Sequence, residues 1–158
     1  MNYWLLKSEP TTFSFADLEA APQRTTTWEG VRNLQARNFL RDRLALGDRA
    51  FFYHSGISAP AILGIVEIVR PAYADGTAFD PSSPYYDPAS TPAQPRWYRV
   101  DVRLVRRLRR EVTLAELKRY QAVLGDFVLL RRGNRLSVLP VTATQWNFVL
   151  ELEAPTNR

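Results

Sequence analysis

With 158 residues, 46% of them hydrophobic and 23% charged, the chain has the composition of one folded domain able to bury its own core. It contains no cysteine, which excludes disulfides, thiolate chemistry and cysteine-ligated metals, and no apolar run approaches the ~18–20 residues of a membrane span. The net charge of +5 points to polyanionic partners, chiefly nucleic acid, although every basic residue except Lys7 and Lys118 is arginine, a bias that a GC-rich coding sequence would also produce.

The opening MNYWLLKSEP has neither the basic lead nor the apolar length of a signal peptide, so a cytoplasmic location is expected. Within it, residues 3–7 read as a strand closed by Pro10, which cannot donate to a ladder. Residues 14–20 follow as a short helix, with Ser14 as N-cap and Asp17 completing a capping box. The stretch WEGVRNLQARNFLRD (28–42) reads as a second helix. Residues 48–55 and 61–70 are rich in aromatic and β-branched side chains and predict two strands. Residues 71–95 carry six of the eleven prolines and are expected to form a long loop, of the kind that is usually functional or mobile. In 97–105, Tyr98, Val100, Val102 and Leu104 alternate with Arg99, Asp101 and Arg103, the pattern of a half-buried strand. Residues 113–120 predict a helix with Thr113 and Glu116 as a capping box, and 126–141 a hairpin around Gly133-Asn134. A helix capped by Thr142 closes the pattern over 142–152. About six short strands with small helices, outside strict βαβ alternation and without repeat or boundary, predict a single α+β domain resembling a β-barrel.

Catalytic groups are scarce. The one histidine, His54, is followed by Ser55, and neighbours on a strand point to opposite faces, so the two make a poor base–nucleophile pair. No spacing suits a transition metal and no glycine fingerprint suits a nucleotide phosphate, so no metal and no cofactor is expected. Asp75, Asp80 and Asp87 could form an acidic pair, or serve as turn-makers. Aromatic residues are plentiful; Trp28 and Trp97 are singled out because both fall next to loops, where a ring can line a cleft and stack a base. Two arginine clusters, 106–110 and 131–135, are candidates for phosphate contacts or for solvated surface.

Arg-Asn occurs twice in WEGVRNLQARNFLRD. On a helical projection of residues 31–44, Ala36, Phe39, Leu40 and Leu44 share one face, while Arg37, Asn38, Arg41 and Asp42 point away. Arg32 and Asn33 flank the apolar face at the helix start, beside Trp28 and Gly30. There, a donor fork and an amide could read the edge of a planar heterocycle. The plainer alternative has Asn33 capping a neighbouring loop and Arg32 paired with Glu29 or Glu9.

Taken in order, YWLLKSEP, WEGVRNLQARNFLRD, AFFYHS, GIVEIV, the DP…YYDP loop, WYRVDV and LSVLPVT…W resemble the EVE domain family, PUA-like proteins related in fold to YTH and ASCH domains. The resemblance runs from residue 2 to about 150. It implies a PUA-like β-barrel of about six short strands surrounded by short helices, with a pocket that accommodates a modified base, either a modified cytosine in DNA or a modified RNA nucleotide. Carried over by position, the pocket draws on Lys7, Ser8 and Glu9, on Trp28, Gly30, Arg32 and Asn33, and on Tyr53, His54 and Ser55, with Trp97 and Ser137 as further candidates. Asp80 is added on chemical grounds, since a carboxylate accepts from a cytosine amino group. The expected partner is nucleic acid and no membrane; prokaryotic readers of this kind often work beside a separate nuclease or methyltransferase. The expected role is a non-enzymatic reader. An enzyme with His54 as acid or base and a general RNA-binding module built on the arginine clusters stay open.

Overall fold

A computed structural model describes residues 1–155. Six strands form a single mixed sheet: β1 (Tyr3–Ser8), β2 (Thr25–Trp28), β3 (Arg49–His54), β4 (Ala61–Ala74), β5 (Tyr98–Thr113) and β6 (Val138–Val141). Their order is β2-β5-β4-β3-β1-β6, with β1 and β3 parallel and all other neighbours antiparallel. The α+β class is as expected. The sheet, however, is not closed: β2 and β6 are its two edges, and no ladder joins them among the described residues.

The helices are α1 (Phe15–Ala20), α2 (Leu34–Asp42), α3 (Leu114–Arg119), α4 (Gln121–Leu124) and α5 (Ala143–Glu153). Reciprocal capping boxes start α1 at Ser14 and Asp17 and α5 at Thr142 and Gln145, whereas Thr113 caps α3 through the Glu116 N–H. In the core, the Trp146 ring of α5 stacks on Phe51 of β3 at 3.9 Å and on Tyr3 of β1 at 4.4 Å. Helix α2 packs against β4, β5 and β6, burying Ala36 and Leu40, and Phe39 reaches Trp4.

Four elements differ from the sequence reading. The second helix begins at Leu34, not at Trp28, because Thr25–Trp28, a β-branched run, pairs as β2 with β5. Strand β4 continues to Ala74 through Pro71, which sits in an irregularity of the β4–β5 ladder between Arg70 and Tyr73, where a missing N–H costs no regular bond. Strand β5 takes in the arginine cluster 106–110. No hairpin forms around Gly133: Val128–Leu130 makes a 3-10 turn, Leu129 and Leu136 are buried, and β6 pairs with β1 instead.

Candidate functional site

A cleft of ≈ 520 Å³ opens where the two edges of the sheet approach each other. It lies within the range of small-molecule sites, roughly 300–1,000 Å³. Strand β1 contributes Lys7 and Ser8, and the turn after it Glu9, Thr12 and Phe13. Edge β2 contributes Thr26, Thr27 and Trp28, and the connection into α2 runs from Glu29 to Asn33. Ser137, just before edge β6, and Tyr85, from the proline-rich loop, complete it. The Lys7 N–H donates to the Ser137 carbonyl (2.9 Å), which fastens the β6 lip to the floor.

Of the residues expected at the site, Lys7, Ser8, Glu9, Trp28, Gly30, Arg32, Asn33 and Ser137 line this cleft, and the others do not. Tyr53 is buried in β3 beside Lys7, and burial pushes its phenol up to about 12. His54 accepts the Phe15 N–H at Nε2 (3.0 Å), capping the start of α1. Ser55 donates its backbone N–H to the Ser8 carbonyl (3.0 Å). Asp80 is exposed and closes a turn on the N–H and hydroxyl of Ser82. Trp97 is buried and donates its indole N–H to Asp87 (2.6 Å). Asp75, Asp80 and Asp87 thus have separate partners and form no acidic pair.

The first Arg-Asn pair has a different task from the one its projection suggested. Helical angles do not apply to Arg32, which lies before the helix, while Asn33 is the N-cap of α2 and accepts the Ala36 N–H (3.0 Å). Every Arg32 donor is committed inside the protein. Nε (3.1 Å) and Nη2 (2.6 Å) donate to the Tyr85 carbonyl, Nη1 to Val31 O and to Asp75 (3.0 Å each), and Nη2 also to the Thr77 hydroxyl (3.3 Å). A guanidinium has five N–H groups, so none remains to read a base. Arg32 is a tie holding the proline-rich loop against the cleft. The second pair is also partly engaged: Arg37 donates to the Arg96 carbonyl (2.7 Å), joining α2 to the end of the same loop.

Asp75 is the anchor of this assembly. Fully buried, it accepts from the Gly30 N–H (2.9 Å), Arg32, and the Thr77 N–H (2.9 Å) and hydroxyl (2.5 Å). Burial, the largest single influence, would raise its pKa, but the bonds from Thr77, Gly30 and Arg32 together hold the carboxyl below the usual carboxylate value. Gly30 has φ +79°, and a Cβ there would stand 2.6 Å from the Tyr85 ring. Only glycine lets that ring close over the backbone. Among the cleft residues that sequence reasoning did not place at the site, Tyr85 brings a second ring; its signal was the YYDP motif, which entered the family resemblance but assigned no site residue.

The cleft therefore offers two rings, Trp28 and Tyr85, with Trp28 packed edge-on against Phe52 (5.5 Å). Its polar equipment includes the amide of Asn33, whose N–H donors are not used by the cap, the Ser137 hydroxyl and the Lys7 amine. Burial lowers the Lys7 pKa, and no carboxylate lies within ion-pair distance of it among the described residues. The Ser8 hydroxyl is spent on the Phe13 carbonyl (2.6 Å).

His54 also carries a pH prediction. Burial lowers its pKa, with Glu111 opposing, and only the neutral ring can accept from Phe15 at Nε2. Its contribution to stability is complete above the unfolded histidine value of about 6.5 and is lost as pH falls through the lower folded value. The melting temperature is expected to fall between pH 7 and 5 in the wild type and to be flatter over that window in His54→Asn, measured by differential scanning calorimetry.

Comparison with known proteins identifies the family. The EVE domain family model matches residues 2–152. Human thymocyte nuclear protein 1 is 46% identical over 168 residues, covering 96% of this chain and 74% of its own length. The crystal structure of human THYN1 protein in complex with 5-methylcytosine-containing DNA aligns with a TM-score of 0.93 at 44% identity, covering 99% of this chain and 100% of that one. A YTH domain of Zygosaccharomyces rouxii, at 17% identity and a TM-score of 0.50, shares the fold. By sequence and by structure, the chain belongs to the EVE domain family.

Proposed function

We propose that this chain is a non-enzymatic nucleic-acid reader that takes a modified base, a C5-modified cytosine in DNA being the first candidate, into the cleft between β2 and β6. The observation that carries the reading is the pairing of two rings, Trp28 and Tyr85, with hydrogen-bonding groups at Asn33 and Ser137 in one cleft. It is supported by the human relative's complex with 5-methylcytosine-containing DNA. A flipped base needs both stacking and edge contacts, and extrusion costs least from a damaged or single-stranded site. The engagement of His54 with Phe15 favours binding over acid–base catalysis, because the nitrogen a base would use is already hydrogen-bonded.

Calorimetry with matched oligonucleotides, single- and double-stranded, with and without 5-methylcytosine, tests the proposal. Wild type is expected to prefer the methylated strand, and Tyr85→Ala to weaken binding about tenfold or more, given ~1–3 kcal/mol for a base stacked on a ring. Equal affinity for all oligonucleotides with a steep salt dependence would favour the general RNA- or DNA-binding alternative. Absence of binding at low salt would end the reader hypothesis.

A further inference from the structure

The sequence contains two arginine clusters, and the structure separates them by what their charges meet. On β5, Arg103 pairs with Glu67 (3.2 Å), Arg106 with the buried Glu153 (2.8 Å), Arg107 with Glu19, and Arg110 with Glu116 (2.7 Å). Arg110 also donates to the Leu152 carbonyl (2.6 Å). These pairs fasten α1, α3 and α5 to the sheet and cancel most of the positive charge of the strand where it arises, leaving Arg109 as the exposed arginine of this cluster with no carboxylate within 4.0 Å among the described residues.

The second cluster is different. Arg131 is held by Asp126 through two bonds of 2.8 Å, but Arg132 and Arg135 are exposed and have no carboxylate within 4.0 Å among the described residues. Their loop is firmly based. Asn134 accepts the Leu136 N–H (3.0 Å), Leu136 is buried, and the next residue, Ser137, lines the cleft and is bonded to Lys7. Arg135 is two residues from Ser137, so at most ~7 Å of backbone separates it from the cleft lip. An exposed guanidinium fork on an anchored loop is suited to a phosphate diester, which it can hold without reading sequence.

Resting on the reader proposal above, we propose that the phosphodiester backbone of the bound strand runs over the 131–135 loop, gripped by Arg132 and Arg135, and not over the arginines of β5. The backbone then crosses the β6 lip while the base enters the cleft.

The test measures affinity for one 5-methylcytosine-containing oligonucleotide, and for its unmethylated twin, over a range of salt by fluorescence anisotropy. Arg132→Ala/Arg135→Ala is compared with Arg103→Ala/Arg107→Ala, which removes the same net charge. Losing two phosphate contacts should reduce the slope of log K against log salt by about 1.4–1.8. That loss is expected for the loop pair alone, with weaker binding at low salt, an unchanged ratio between methylated and unmethylated strands, and an unchanged melting temperature. A wild-type slope in the loop variant, or an equal loss in the β5 variant, overturns the proposal. If wild type binds with a salt slope but no preference for the methylated strand, the modified-base reading fails while the backbone track stands. If wild type binds neither oligonucleotide, both fail.

Discussion

Asp75→Ala is expected to lower the unfolding free energy by about 3 kcal/mol, the cost of stranding a partly buried charge whose partner has been removed. The Arg32 side chain keeps 23% of its surface exposed, which puts the effect at the lower end for such pairs. The same substitution leaves the Gly30 N–H without its acceptor and frees Arg32 from one end of its tie to Tyr85. Binding of a methylated oligonucleotide should fall at least tenfold as the second ring loses its position. Chemical denaturation and calorimetry measure the two effects separately. The carboxyl is held below its ordinary value, so its contribution is complete above the unfolded aspartate pKa of about 3.9 and is lost as pH falls through the lower folded value. Asp75→Asn should therefore be less stable than wild type at pH 7, with the difference shrinking towards pH 2. A variant as stable as wild type at neutral pH would remove Asp75 as the anchor.

Trp28→Ala is expected to damage both the fold and the site. Trp28 is 7% exposed and packs edge-on against Phe52, so its truncation should cost about 3–5 kcal/mol, as for a core aromatic. That corresponds to a drop in melting temperature of roughly 10 °C for a domain of this size. The ring does more than line a cleft beside a loop: it ends β2 and belongs to the core. Trp28→Phe is the cleaner probe of binding. It should retain most of the stability while weakening binding of the methylated oligonucleotide several-fold in the same calorimetric assay. Unchanged affinity in Trp28→Phe would make the ring a packing residue alone.

Much of the fold was legible because it rests on local rules. The alternation from Tyr98 to Leu104, the capping box at Ser14 and the cap at Thr142 are written in neighbouring residues, whereas the box expected at Thr113 forms only its Thr113 half. Lys7, Ser8, Glu9, Trp28, Gly30, Arg32, Asn33 and Ser137 reached the cleft through motif resemblance. Long-range partners were not legible. Arg32 finds Tyr85 53 positions away, across a proline-rich loop with no periodicity to project, and Asp75 looks like any turn-making aspartate until its four donors are seen. Likewise, nothing local reveals that the β5 arginines meet carboxylates from α1, β4, α3 and α5. The open sheet was hidden for the same reason: closure depends on whether its two edges, β2 and β6, meet, and a strand's own residues do not say which strands it pairs with.

That open edge has a consequence for biogenesis. The cleft's lining begins at Lys7 and ends at Ser137, and its final wall is set only when Val138–Val141 docks onto β1. Synthesis delivers the chain from its N-terminus, so an emerging polypeptide can assemble β1 to β5 while the last lip is still missing. On the proposed reading, capture of a base is reserved for the finished product, and a bound ligand would stabilise only that product by mass action. Fragments ending before β6 should be blind to the ligand however much of the sheet they form.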